Sequence, residues 1–420
     1  MTSTAALARR LGTSDAVVIG LSSMIGAGVF SAFGPAARAA GTGLLIGLAI
    51  AGAVAYCNAV ASAQLAAQYP TSGGTYIYGR ERLGEWWGFV AGWGFVIGKT
   101  ASCAAMALTF ASYAAAGSLW IDRGVAVAAV VVLTAANYYG ISRTVELARV
   151  LVAVSILALL VVVVAIAASG HVHSGVGSSS FGAYGVLQAA GLLFFAFAGY
   201  ARIATLGEEV RDPEVTIPRA IPLALAITLA LYLAVAVAAL AGAGPLALSV
   251  SVRPLATAVD AAGAAWALPV VRIGAAVASL GALLALIAGV GRTGLAMARN
   301  GDLPRWLASV HPRHRVPDHA ELAVALAVVI LVLTTDLRNA IGFSSFGVLL
   351  YYAVANASAY TQPSERRRWP RALNVAGLAG CLVLVVTLPW SAILAGAAVI
   401  VTGVAGRALG RRRWSSSAAG

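Results

Sequence analysis

Ser23-Met24-Ile25-Gly26-Ala27-Gly28-Val29-Phe30 interrupts an apolar run that extends from Asp15 to Ala40. The run is long enough to cross a bilayer as a helix, yet its centre carries two glycines within three positions, which weaken a helix. Unpaired backbone groups cannot face lipid, so the interruption is expected to line a cavity or face other protein. A second weak point, Phe197-Ala198-Gly199, falls in the sixth apolar segment. Broken helices at corresponding places in two halves of a chain point to a transporter, with free N–H and C=O groups open to a small zwitterion.

The rest of the chain supplies the setting for these breaks. Of 420 residues 60% are hydrophobic and 10% charged, with a mean hydropathy of +0.88, far outside the range of soluble domains. The predicted fold class is an all-α polytopic membrane protein with about twelve transmembrane helices. They fall near 15–40, 43–67, 86–116, 124–141, 146–168, 186–209, 217–243, 269–298, 320–335, 339–360, 373–389 and 391–406. The flanks are a cytoplasmic N-terminus over 1–14 and a cytoplasmic tail over 407–420.

Orientation follows from arginine placement, because positively charged loops stay inside. With both termini cytoplasmic, Arg9, Arg10, Arg80, Arg82, Arg143, Arg211, Arg219, Arg299, Arg305 and Arg313 all fall inside, as do Arg366–Arg368 and Arg411–Arg413. The outer side receives Arg38, Arg123, Arg253, Arg272 and Arg338. This bias accounts for the net charge of +13 without a nucleic-acid partner. The expected location is the cell inner or plasma membrane, and the first span is expected to be retained rather than cleaved as a signal peptide.

Cys57, Cys103 and Cys381 all lie within predicted spans, which argues against disulfides and CxxC metal sites. The five histidines lie outside the spans, so a membrane haem would lack axial ligands. No metal site and no cofactor is expected. The partners are a small-molecule substrate and the lipid bilayer, and the sequence is compatible with a homo-oligomer.

Three loops place helix-ending Gly or Pro beside charge. After the second span comes Tyr69-Pro70-Thr71-Ser72-Gly73-Gly74-Thr75-Tyr76, leading into a short amphipathic stretch through Gly84. Glu208-Glu209-Val210-Arg211-Asp212-Pro213 follows the sixth, and Met297-Ala298-Arg299-Asn300-Gly301-Asp302-Leu303-Pro304 the eighth.

On these residues the chain resembles the amino acid/polyamine/organocation (APC) superfamily of secondary transporters. Met24-Ile25-Gly26-Ala27-Gly28-Val29-Phe30 is similar to the first-helix motif of its amino acid permeases. Phe194-Phe195-Ala196-Phe197-Ala198-Gly199-Tyr200 with the acidic segment after it is similar to the sixth-helix motif, and the loop at 297–304 to the one after the eighth. The resemblance implies a 5+5 inverted repeat, 15–168 and 186–360, with discontinuous helices 1 and 6, then two peripheral helices over 373–406. It also implies that the first break takes the substrate carboxylate and the sixth its amino group.

The physics of the breaks agrees. A half-helix starting near Gly28 offers free N–H groups and a positive dipole end to a carboxylate, and Ile25, Gly26, Ala27 and Gly28 let it come close. A side chain at Gly28 would be expected to occupy the carboxylate site. A half-helix ending near Phe197 offers carbonyls to an ammonium group at Ala198 and Gly199. Phe194, Phe195, Phe197 and Tyr200 are candidate aromatic walls, Phe197 foremost because it adjoins the break; ordinary helix packing is the alternative for each.

No carboxylate lies deep in a predicted span, which favours neutral or apolar amino acids over cationic ones. Two intramembrane cations, Lys99 and Arg202, leave an acidic substrate open. Many proton-coupled relatives carry a fifth-helix lysine; here that helix offers Ser155 and Ala158 instead. Of the 28 Lys and Arg residues only Lys99 is lysine, and it sits near the middle of the third span. A buried lysine can exchange its proton whereas arginine keeps it, so Lys99 is the candidate coupling group, with Arg202 beside it.

The function expected is a secondary active amino acid transporter that couples to protons and works by alternating access. Alternatives are an exchanger or exporter of amino acids or organic amines on the same fold. A membrane-embedded enzyme or sensor fits less well, because the spans hold no convergent His, Asp, Glu and Cys cluster. A GxxxxGK[ST] loop is absent, so transport is driven by an ion gradient or is passive.

Overall fold

The structure, a computed structural model, describes residues 11–70, 73–115, 117–139, 145–170, 173, 182–204 and 209–417. Arg9, Arg10, Arg143, Glu208, Thr71 and Ser72 of the sequence analysis lie outside the described residues. Helices account for nearly all of it, confirming an all-α polytopic membrane protein. Among the described residues nine helical stretches are long and apolar enough to cross a membrane, and two apolar helices are shorter, Ala183–Phe197 and Arg371–Thr387.

The first expected span is three helices in line, α1 (Thr13–Met24), α2 (Ala27–Ser31) and α3 (Phe33–Ala40). α1 is held at its start by Asp15, whose carboxylate accepts the Gly12 N–H at 3.0 Å and pairs with Arg149. α4 (Leu44–Gln68) follows, then the short α5 (Thr75–Leu83) where an amphipathic stretch was expected. Next come α6 (Glu85–Ala114), α7 (Leu119–Tyr138) and α8 (Val145–Ala168). The sixth expected span is divided into α9 (Ala183–Phe197) and α10 (Ala201–Ala204). Leu11 pairs with the strand-like segment beyond α10, its N–H donating to Glu209 O at 3.1 Å and its carbonyl accepting from Arg211 at 2.9 Å.

α11 (Pro213–Val250) is two helices in series: Gly244 (φ 72°, ψ 165°) leaves the helical conformation, so the first part ends at the expected 243, and Pro245 begins a short second part that reaches Val250. α12 (Pro254–Ala261) had no counterpart among the expected spans; it is too short to cross a bilayer and carries no long apolar run. α13 (Leu268–Arg299), α14 (Asp318–Thr334), α15 (Leu337–Tyr360) and α16 (Arg371–Thr387) start and end within a few residues of expectation. α17 (Trp390–Ser417) is longer than expected, since the arginines at 411–413 are good helix formers and carry it through most of the anticipated tail.

Burial sorts these helices. Most of the apolar length of α15 and α6 is buried, 83% and 78%, against 22% for α7 and 17% for α17, which therefore lie on the rim of the bundle. Val131, Val132, Leu157, Leu326 and Val401 are among the large apolar side chains left exposed, as a bilayer solvent requires. α6 therefore runs through the middle of the bundle, packed against both α13 and α15, and carries Lys99 about 20 Å from its first residue.

Candidate substrate site

The site begins where helix geometry fails. Between α1 and α2, Ile25 (φ −78°, ψ 70°) and Gly26 (φ −117°, ψ −148°) leave the helix. Between α9 and α10, Ala198, Gly199 and Tyr200 form a turn. The two interruptions meet backbone to backbone. A Cβ on Gly199 would overlap the Ser23 carbonyl and lie 2.5 Å from Met24 N, so this contact needs a residue without a side chain. At Gly28 a Cβ would lie 2.7 Å from Ala196 Cα, which seats α2 directly on α9.

Breaking two helices strands carbonyls that no water in the hydrocarbon can satisfy. Tyr232 of α11 lies between the two ends. Its buried hydroxyl is 2.7 Å from Met24 O, at the end of α1, and 3.1 Å from Ala196 O, at the end of α9, so its single proton is shared between them, while Met24 O also accepts from Gly26 N at 2.8 Å. Tyr232→Phe removes that donor and leaves the buried Ala196 carbonyl without it, while Met24 O keeps the Gly26 N–H. It is expected to lower stability by about 1–3 kcal/mol, read as an earlier thermal transition in detergent. An unchanged transition would mean the carbonyl finds another donor.

Beside the breaks lies a cavity of about 210 Å³. Ser22 and Ser23 of α1 and Ala198 and Gly199 of the sixth-helix turn form one wall. Phe95 and Met106 of α6 and Ala282, Ala285 and Leu286 of α13 form an apolar opposite wall. Lys99 reaches across, its Nζ donating to Ala198 O at 2.9 Å. Arg202, Arg292 and Glu209 complete the charged lining, so three cations stand against one carboxylate.

The cavity extends along α13 from the breaks to α5. There it reaches Tyr76 of α5 and Thr293 and Ala296 of α13. The Tyr76 hydroxyl donates to Asp302 at 2.7 Å; burial first, and then this hydrogen bond, push the phenol far above its ordinary pKa, so it stays a donor. Elsewhere on α6, Tyr113 ties α2 to α12: its hydroxyl donates to Phe30 O at 2.7 Å and accepts from Leu255 N of α12 at 3.3 Å. Arg272 Nε holds the Tyr113 carbonyl at 2.9 Å.

Of the residues singled out in the sequence, Lys99, Ala198, Gly199 and Arg202 line the cavity. Ile25, Gly26, Ala27 and Gly28 sit behind it, buried; Gly26 is backed by Ala282 and Met106, which do line it. The direction of Gly28 differs from expectation: a side chain there meets Ala196 of α9 before any ligand space, because α2 leans on α9. Phe194 and Phe197 are fully buried and pack on Tyr352 and Tyr232, with ring centroids 5.8 and 5.2 Å apart, so helix packing accounts for both. Sequence reasoning missed Tyr232, Tyr76, Tyr113 and Arg292. Arg292 was visible as a cation inside the 269–298 span, whereas the tyrosines gave no signal beyond ordinary apolar bulk.

These features define a class, a multi-pass membrane transporter with two interrupted helices around a central cavity. Comparison with known proteins narrows it. The family model described as amino acid permease matches residues 11–405, and the chain belongs to that family. It is 61% identical over 412 residues to an uncharacterized transporter of Mycobacterium tuberculosis (strain ATCC 25618 / H37Rv), covering 97% of this chain and 92% of the relative. It is 27% identical to the branched-chain amino acid permease BcaP of Bacillus subtilis (strain 168), over 92% of this chain and 90% of that one. The chloroplastic cationic amino acid transporter 7 of Arabidopsis thaliana is 29% identical, over 91% of this chain and 70% of that one. The chain is therefore a transporter and not an enzyme.

Proposed function

We propose that this protein is a secondary active amino acid transporter working by alternating access, coupled to protons, and that the conformation described is its inward-open state. What supports this is a cavity lined by residues of both helix breaks, Ser22, Ser23, Ala198 and Gly199, that extends to Tyr76 and Thr293, with Tyr113 bonded to the backbone of α2 and α12 where the outer closure would lie. The substrate carboxylate would lie toward the start of α2 and its ammonium toward the carbonyls after Phe197. The halves 15–168 and 186–360 would be the two inverted repeats that rock against each other. Both termini would be cytoplasmic, in the cell membrane.

Neutral or apolar L-amino acids fit best. Phe95, Met106, Ala282 and Leu286 give an apolar wall, and Lys99, Arg202 and Arg292 repel a cationic side chain. Those three cations also favour a second reading, an acidic amino acid. Radiolabelled leucine flux into proteoliposomes, with and without an inward-acid pH gradient and competed by unlabelled leucine, glutamate and lysine, separates the readings. Leucine is expected to compete and lysine not to. Absence of flux for every amino acid would sink the assignment.

Orientation has its own test. In a background lacking the three cysteines, Ser118→Cys, just before α7, is expected to react with an impermeant thiol reagent from outside. Ser309→Cys, between α13 and α14, is expected to react only after permeabilisation. Labelling of both from outside would overturn the proposed topology. Most of the segment between the expected spans 146–168 and 186–209, Ser178 included, lies outside the described residues.

A further inference from the structure

The sixth-helix break already has a cation on it. Lys99 Nζ donates to Ala198 O at 2.9 Å, and both residues line the cavity of about 210 Å³. Resting on the function proposed above, we infer that Lys99 holds the seat of the substrate ammonium, so that an amino acid and protonated Lys99 exclude one another and each amino acid bound releases one proton.

The turn singles out this carbonyl. Gly199 O and Tyr200 O accept from Arg202 N and Ile203 N at 3.0 and 2.9 Å, bonds that belong to the start of α10. Ala198 O accepts instead from a side chain on the cavity wall, and a side chain can withdraw. A lysine ammonium and the ammonium of an amino acid are the same kind of donor, a compact cation with three N–H groups. A carbonyl at the end of a half-helix serves either one. It does not serve both, because two ammonium groups on one oxygen stand only ~5 Å apart and repel. Withdrawal of Lys99 does not strip the carbonyl, since the Tyr352 hydroxyl lies 3.5 Å from it.

Charge decides where the proton goes. The titratable and charged groups around Lys99 are Cys103 one turn along α6, Tyr352 of α15, Arg202 and Glu209 beyond the turn, Arg292 of α13 and, where the cavity reaches α5, Tyr76. Once off the carbonyl, a charged amine would share the cavity with Arg202, Arg292 and the incoming ammonium, and Glu209 is the one carboxylate in its lining. Repulsion among these cations expels the proton to water in the cavity and leaves a neutral amine; no other bond changes. Because linkage is reciprocal, a proton that weakens amino acid binding is itself bound less tightly once the amino acid is in place.

Calorimetric titration of the purified protein with leucine and with glutamate, between about pH 6 and pH 8 and in buffers of different ionisation enthalpy, reads affinity and proton release together. The wild type is expected to bind its amino acid more tightly as the pH rises, by up to about tenfold per pH unit, with up to one proton released per molecule bound. Lys99→Met vacates the seat; it is expected to bind at least as tightly as the wild type does at the upper end of that range, with no pH dependence and no proton release. Lys99→Arg leaves a permanent cation in place and is expected to bind about tenfold or more weakly than the wild type there, again without proton release. A lysine that merely capped the broken helix would give the reverse order, arginine tolerated and methionine impaired, and that order would overturn the inference. Binding to the wild type without proton release would overturn it too, while leaving the transport assignment standing. Failure of both amino acids to bind would remove both substrate readings, and this inference with them.

Discussion

Lys99→Arg is expected to abolish substrate accumulation driven by a pH gradient, while the protein still inserts and purifies as the wild type does. Lys99 is 7% exposed in the middle of α6, and its Nζ holds the Ala198 carbonyl of the sixth-helix break. A proton gained or lost on this amine therefore changes a hydrogen bond within the break itself. Arginine keeps a fixed charge through the whole cycle, so the bond cannot be made and released with protonation. Lys99→Met removes charge and donor together. It is expected to lose accumulation equally, yet to keep exchange of labelled for unlabelled substrate, since exchange needs no net proton movement. The measurement is uptake into proteoliposomes under an imposed pH gradient, with counterflow as the second readout. An arginine variant that concentrates substrate to the wild-type level would remove Lys99 from the coupling step.

The second large effect is expected at Gly199. Even a methyl group there would overlap the Ser23 carbonyl, and backbone cannot swing aside as a flexible side chain can. Gly199→Ala is expected to force the α1 and α9 breaks apart. It would cost about 1–3 kcal/mol of stability and reduce transport to background. Gly289→Ala is the matched control: Gly289 lines the same cavity, and a Cβ there meets nothing within 4 Å. The control is expected to retain transport within about twofold, a change worth under 1 kcal/mol. If Gly199→Ala transports as well as Gly289→Ala does, close approach of the two breaks is not needed.

What could be read from the chain itself followed the physics of lipid exposure. Spans such as 269–298 and 339–360 were legible because a bilayer demands about twenty apolar residues and ends helices at charge, and α13 and α15 fall within one or two residues of them. The breaks were legible for a related reason, since glycines at mid-depth have no stabilising role in an isolated span. Which way each glycine faces was not legible. Gly26 and Gly28 differ by two positions, yet one is backed by α13 and the other is pressed onto α9. That distinction comes from helix rotation, fixed only by packing partners distant in sequence. Tyr232 was hidden for the same reason, because nothing near it in the chain announces that its hydroxyl will meet carbonyls at positions 24 and 196. α12 was missed because an eight-residue helix is too short to leave a hydropathy signal.

The Tyr113 contact, proposed above as the outer closure, bears on how this architecture can diversify. The partners of its hydroxyl are a carbonyl at position 30 and an amide at position 255, both main-chain groups. Any residue at position 30 supplies that carbonyl, and any residue except proline at 255 supplies that amide. The closure is thus insulated from drift in the side chains around it. Mutations that reshape the cavity wall for a different ligand can accumulate without breaking these two hydrogen bonds, so the ligand site and the contact between α6, α2 and α12 can evolve separately.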